Sequence, residues 1–128
     1  MYDINIEGKD LQTERIINAA IEVHKILGPG FLESIYEEAL CFELNLRNIK
    51  FKRQLLAPVK YKELIINKQR LDLVVENNVI VEIKAIKKIP EIAIAQTLSY
   101  LKAMQFKKAL IINFGMKMLT NGIRRLSL

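Results

Sequence analysis

The stretch RLDLVVENNVIVEIKAI, Arg70 to Ile86, decides the fold. Two apolar runs, rich in Val, Ile and Leu, flank Asn77-Asn78, and asparagine tolerates the positive φ that a tight hairpin turn demands. The runs are therefore expected to pair antiparallel. Each is interrupted by charge: Asp72 in the first, Glu82 and Lys84 in the second. Side chains alternate along a strand, so Glu82 and Lys84 share a face. A tight turn would pair Val75 or Glu76 with Val79, which brings Asp72 to within a residue or so of Glu82. Charges buried in an apolar strand are costly unless they are solvated, paired or bound to metal, so two carboxylates and a lysine converging there ask for an explanation.

Working outward toward the C-terminus, Pro90 opens a helix, PEIAIAQTLSYLKAM, and KKALIINFG follows as a buried strand. Strand, helix, strand implies a right-handed crossover that sets residues 79–86 parallel to residues 109–115. Asn121-Gly122 and IRRLSL read as a turn and a short edge strand. Toward the N-terminus lie the extended segments IKFKRQLL and PVKYKEL, with Pro58 separating them or marking an edge. Before these, Asp10 caps a helix carrying Leu11, Ile16, Ile17, Ala20, Val23 and Leu27 at helical spacing, and Gly28-Pro29-Gly30 stops it. A second helix is expected from about Phe31 to Arg47, with Leu32, Ile35, Tyr36, Ala39, Leu40 and Leu46 as its apolar stripe and Glu33, Glu37, Glu38 and Glu43 mostly on other faces. The expected class is α/β: one mixed sheet, two N-terminal helices and one crossover helix, in a single domain over residues 1–128.

Composition narrows the function classes. At 128 residues and 51% hydrophobic, the chain can bury a core without disulfides or a structural metal. Its one cysteine, Cys41, excludes a disulfide framework and a cysteine-based zinc site, and makes a reducing, cytoplasmic compartment the expectation. MYDINIEGKD lacks the basic-then-apolar pattern of a secretory signal, and no apolar run reaches the roughly 18 residues of a membrane span. The net charge of +6 is a split: residues 1–46 carry nine acids and three bases, and residues 47–128 carry five acids and 17 bases. A basic body suits phosphate binding, which releases counterions; a solvated basic face is the ordinary alternative.

Two acids at a strand end suit a hard divalent cation such as Mg²⁺ or Mn²⁺, and an adjacent ammonium can orient water and stabilise charge growing on a phosphoryl oxygen. Asp72, Glu82 and Lys84 thus form a metal-dependent phosphodiesterase arrangement, against the plainer reading of an ion pair on a wet sheet face. Gln96 and Tyr100, one helical turn apart, project together and could meet phosphate, base or a water; a helical Tyr is also an ordinary core residue with a wet hydroxyl. By alternation Arg70 falls on the face of Asp72, and it is a candidate phosphate contact or a solvated edge residue.

GPGFLESIY contains Gly30-x-x-Glu33-x-x-Tyr36, and with HKILGPG, RLDLVV, VIVEIKAI, AQTLSYLK, INFG and NGIRR the chain resembles the GxxExxY protein family, a branch of the PD-(D/E)XK nuclease superfamily. The likeness runs from about Glu14 to Leu126 and rests on the order and spacing of motifs that are individually weak. It implies a restriction-endonuclease-like core in which Asp72, Glu82 and Lys84 fill the acid, acid and lysine positions. It makes Glu33 the acid of the N-terminal helix, and matches Gln96 and Tyr100 to the Gln-x-x-x-Tyr motif of the RecB-like subgroup. Leu71 stands where that subgroup often has Pro. His24 aligns with the family's His before GPG, a metal ligand in some RecB-like nucleases, although a lone His is more often a hydrogen-bonded structural residue.

The resulting expectation is a Mg²⁺-dependent nuclease domain. Asp72, Glu82 and the Ile83 carbonyl hold the metal, Glu33 assists, Lys84 orients the hydrolytic water, and Gln96, Tyr100, Arg70, Lys87 and Lys88 position nucleic acid, DNA rather than RNA. Specificity would come from a homodimer or a partner protein, and no membrane is involved. The rival expectation is a non-catalytic nucleic-acid-binding or partner-docking module on the same fold.

Overall fold

The computed structural model describes residues 10–128; the reading of the first nine residues as lacking a secretory signal lies outside the described residues. Helix α1 spans Leu11–Leu27 and begins where the Asp10 carboxylate accepts the Gln12 N–H (3.1 Å). Its end needs glycine twice: Gly28 sits at φ 69° and Gly30 at φ 114°, conformations that a side chain resists. Helix α2 follows as Glu33–Leu46, two residues later than the spacing predicts, with Leu32 extended as its cap. Its buried face, Tyr36, Glu37, Leu40, Cys41 and Leu44, includes one of the glutamates expected to face outward.

The strands are β1 (Phe51–Leu56), β2 (Val59–Tyr61), β3 (Leu64–Ile66), β4 (Arg70–Val75), β5 (Val79–Lys84), β6 (Lys108–Asn113) and β7 (Ile123–Ser127), with α3 (Glu91–Met104) between β5 and β6. The main sheet has the order β1-β4-β5-β6-β7, in which only β5 and β6 are parallel. The antiparallel hairpin, the parallel crossover and the C-terminal edge strand all stand as expected. PVKYKEL does not run as one extended segment. It folds back at Lys62-Glu63 into a separate two-stranded hairpin, β2–β3, with Lys62 at φ 54° and Tyr61 paired to Leu64. Neither turn residue is a Gly, Asn or Asp, so the local signal that normally marks such a turn is missing.

Alternation divides the core between the two faces of the sheet. Leu73, Val75, Val79, Val81, Ile83, Leu110 and Ile112 pack beneath α1 and α2, while Val74, Ile80, Ala109, Ile111 and Leu126 pack with Tyr100 and Leu101 of α3. Leu71 breaks the pattern. It lies on the α3 side although Leu73, two residues on, lies on the other. The strand therefore switches faces at Asp72. No helix among the described residues is long and apolar enough to cross a membrane.

Candidate active site at the open end of the sheet

The β4–β5 register runs Val75↔Val79, Val74↔Ile80 and Leu73↔Val81, and one further step sets Asp72 opposite Glu82. There the ladder passes from backbone to side chains. The Asp72 N–H donates to Glu82 Oε2 (3.0 Å), and the Ile83 N–H donates to Asp72 Oδ2 (2.8 Å). On the other side of β4, Gln54 is the β1 residue that would face Asp72; its φ of 51° takes it out of the ladder between the pairs Arg53↔Leu73 and Leu55↔Leu71. Regular pairing thus fails on both sides of Asp72, and the sheet opens at the residue whose carboxylate must be reachable.

Glu82 is 5% exposed. Burial, and after it the neighbouring Asp72 carboxylate, push its carboxyl up to about 8; the Asp72 N–H and the Lys84 ammonium pull the other way. Burial likewise raises Asp72, against the Ile83 N–H and Lys84, while Glu37 adds to the rise. Glu33, in the first turn of α2, is raised by its own desolvation and then by Asp72, with Lys84 opposing. Lys84 therefore stands among three carboxylates contributed by α2, β4 and β5. From α3, the Tyr100 phenol is held protonated, first by burial and then by the charges of Glu82 and Asp72.

Glu33 owes its position to the turn before it. Tyr36 is fully buried; its hydroxyl donates to the Gly28 carbonyl and accepts the Phe31 N–H, and its ring stacks on Phe114 at 4.6 Å. Phe114 in turn donates its N–H to the Lys84 carbonyl (2.8 Å). The Gly30, Glu33 and Tyr36 spacing has a mechanical reading: the glycine makes the turn, the tyrosine locks it against the end of β5, and the glutamate is delivered between them.

The structure brings together Asp72, Glu82, Lys84, Glu33 and Tyr100. Gln96 is exposed one turn before Tyr100, and Arg70 is exposed with its Nη1 donating to the Gln54 carbonyl (3.3 Å). Lys87 and Lys88 are exposed on the loop leaving β5. That loop is pinned by the buried Asn113, whose side chain accepts the Ile86 N–H (3.0 Å) and donates to the Ile86 carbonyl (2.9 Å). His24 is placed elsewhere, near the end of α1, with Nε2 2.8 Å from the Met116 carbonyl oxygen and its ring tilted against Phe114.

A model of the PD-(D/E)XK nuclease superfamily matches residues 10–126. The chain belongs to this superfamily. The mixed sheet with its three helices accords with the restriction-endonuclease-like PD-(D/E)XK fold. No curated protein and no solved structure matches the chain.

PD-(D/E)XK enzymes typically use divalent metals. The donor set here fits one: each of Asp72 and Glu82 commits one oxygen to a backbone amide and keeps a second, and hard cations bind through one or two carboxylates plus water. Among the described residues, no group of three His, Cys, Asp or Glu is arranged to hold a metal, so backbone oxygens and water would complete the shell.

Sequence reasoning missed Glu37. It is 8% exposed; Arg53 Nε donates to Oε2 (3.1 Å), and the Gln54 amide donates to both carboxylate oxygens (3.1 Å each). The Gln54 amide is thus held on the helix acid, and the charge of Glu37 in turn raises the Asp72 carboxyl. The one available signal was spacing: Glu37 follows Glu33 by one helical turn.

Proposed function

We propose that this PD-(D/E)XK chain, taken as one domain, hydrolyses phosphodiester bonds in nucleic acid, DNA rather than RNA, with Mg²⁺ or Mn²⁺, and that it falls in the GxxExxY branch. The observation that carries the reading is the interlock of Asp72 and Glu82 across the opened strands, with Lys84 one alternation beyond. A buried carboxylate facing a half-buried one destabilises the protein unless the pair is protonated or bridged by a cation, and a fold that only bound nucleic acid would gain nothing from it.

Asp72, Glu82 and the Ile83 carbonyl would hold the metal, which supplies polarisation of the scissile phosphate and a more acidic water. Lys84 orients the attacking water by hydrogen bonding and places a positive charge where the phosphoryl oxygens gain negative charge. Glu33, whose raised carboxyl binds a proton more readily than an ordinary glutamate, assists at that water. Tyr100 stays a phenol and donates a hydrogen bond to the strand, with Gln96, Arg70, Lys87 and Lys88 as further contacts. His24 stays out of this assignment because the structure engages it at Met116. Free, buried Cys41 accords with a reducing cytoplasmic compartment, and a second copy or a partner protein would supply specificity.

The test is thermal melting with and without Mg²⁺ or Mn²⁺, alongside single-turnover cleavage of labelled single- and double-stranded oligonucleotides. Wild type should melt higher with the cation and cleave. The Asp72→Asn, Glu82→Gln double variant should do neither, because a ligand that binds the native state alone stabilises it by mass action. Equal melting shifts in both proteins would remove the site.

A further inference from the structure

We infer that the β2–β3 hairpin is an arm that grips a single-stranded segment of the nucleic acid on its way to Asp72 and Glu82, with Tyr61 as a stacking platform; this deepens the nuclease reading and rests on it. Topology places the arm. β4 runs antiparallel to β5, so the start of β4, the end of β5 and the end of β1 lie at one end of the sheet. The hairpin joins the end of β1 to the start of β4 and so rises from that end. Arg70 at its base is two residues from Asp72. Lys87 and Lys88 leave the same end from β5.

The arm has no core of its own. Val59 and Ile66, at its base, are half-buried, but further out Tyr61, Leu64 and Ile65 are 61%, 59% and 59% exposed. An isolated two-stranded hairpin is marginal in water, and large apolar side chains held in solvent on one contribute nothing to folding. Charge decides what covers them. Residues 57–70 hold Lys60, Lys62, Lys68 and Arg70, all exposed, against the single acid Glu63. Lys62 Nζ lies over the Tyr61 ring, 5.5 Å from its centroid, so a cation takes one face of the exposed aromatic and a base would stack on the other. A ring for an unpaired base and an ammonium for its phosphate form the pairing that single-strand binders use. Asp72 lies eight positions beyond Leu64, at most about 26 Å of extended chain, or the length of roughly seven stacked nucleotides.

Fluorescence anisotropy of a labelled single-stranded 12-nucleotide DNA and of a blunt 12-base-pair duplex, in EDTA so that nothing is cleaved, tests the arm. Tyr61→Ala should weaken single-strand binding about 5- to 100-fold and duplex binding much less, and Tyr61→Trp should restore or tighten it. Lys60→Ala, Lys62→Ala and Lys68→Ala together should make the salt dependence of single-strand binding shallower by about two logarithmic units per unit. Unchanged single-strand binding in both sets overturns the arm, as does equal loss on the duplex. A wild-type dimer that these substitutions dissociate would assign the hairpin to a second copy instead. Cleavage in Mg²⁺ is read separately. A wild type that binds through Tyr61 but never cleaves defeats the hydrolytic reading and leaves the arm standing, whereas cleavage with unaltered binding by the variants defeats the arm alone.

Discussion

Lys84 opposes the carboxylates of Glu33, Asp72 and Glu82 at once, yet an ammonium cannot ligate a cation. Lys84→Ala should therefore leave the cation-induced melting shift largely in place while lowering single-turnover cleavage about 10²- to 10³-fold, the usual cost of one electrostatic contact made in the transition state. Cleavage equal to wild type would show that the rate arises elsewhere. Glu82 makes a separate claim through pH. Its carboxyl is raised to about 8 in the folded protein, against about 4.5 for an unburied glutamate. Between those values the native state keeps a proton that the unfolded chain has lost. Stability without metal should fall as pH rises from about 4.5 to about 8, by on the order of a few kcal/mol, and then level off. Urea denaturation in EDTA across that range should show the fall in wild type and a flatter profile in Glu82→Gln; equal slopes would place the titration in another group. Asp72, Glu82 and Lys84 were legible in the sequence because a charge inside a run of Val, Leu and Ile is conspicuous, whereas Glu33 came from the family resemblance. Glu37, Arg53 and Gln54 were not, because their hydrogen bonds go with a Gln54 that leaves the strand conformation at φ 51°, and nothing in KFKRQLL announces a left-handed glutamine.

At the scale of elements, the loop after β5 connects packing to function. Asn113 is fully buried and bonds both the N–H and the carbonyl of Ile86, as well as the Gly115 N–H (3.0 Å). Gly115 lies so close that a Cβ there would stand 2.3 Å from the Ile86 carbonyl oxygen, which only backbone movement could relieve. Asn113→Ala should cost about 1–3 kcal/mol by stranding those groups. It should also speed hydrogen exchange at Ile86 more than at the centre of β6, since the loop carrying Lys87 and Lys88 loses its pin. Uniform exchange changes would mean that Asn113 supports the whole sheet. The helices and the β4–β5–α3–β6 order were readable from apolar periodicity together with the Asp10 cap of α1 and the breaks at Gly28-Pro29-Gly30 and Pro90. Turns were less readable. The β4–β5 loop is three residues, Glu76 to Asn78, with Glu76 and Asn77 both at positive φ, and the β2–β3 turn has Lys62 in that conformation. In Lys and Glu such geometry is imposed by the strands on either side.

Over the whole molecule, the charge split serves two purposes. Part of it ties the helical layer to the sheet: Lys108 Nζ meets Asp10 Oδ2 (3.0 Å), Arg125 meets Glu14 Oε2 (2.6 Å), and Arg53 meets both Glu37 and Glu38. Those three bases belong to the fold, so net charge alone overstates the surface available to phosphate. Lys60, Lys62, Lys68, Arg70, Lys87 and Lys88 are exposed instead, on the segments that leave the open end of the sheet. The two groups of bases should separate cleanly in experiment. Lys87→Ala with Lys88→Ala should make the dependence of DNA affinity on salt shallower by up to about 1.8 logarithmic units, a little under one for each phosphate no longer neutralised, with the melting temperature unmoved. Lys108→Ala gives up a half-buried ion pair and a hydrogen bond to Gln12 (2.9 Å). It should lower stability by about 1 kcal/mol and leave the salt slope where it was. If the slope instead responds to Lys108 and not to the Lys87-Lys88 pair, phosphate tracks along the opposite end of the sheet, away from Asp72 and Glu82, and the open end is not where nucleic acid enters.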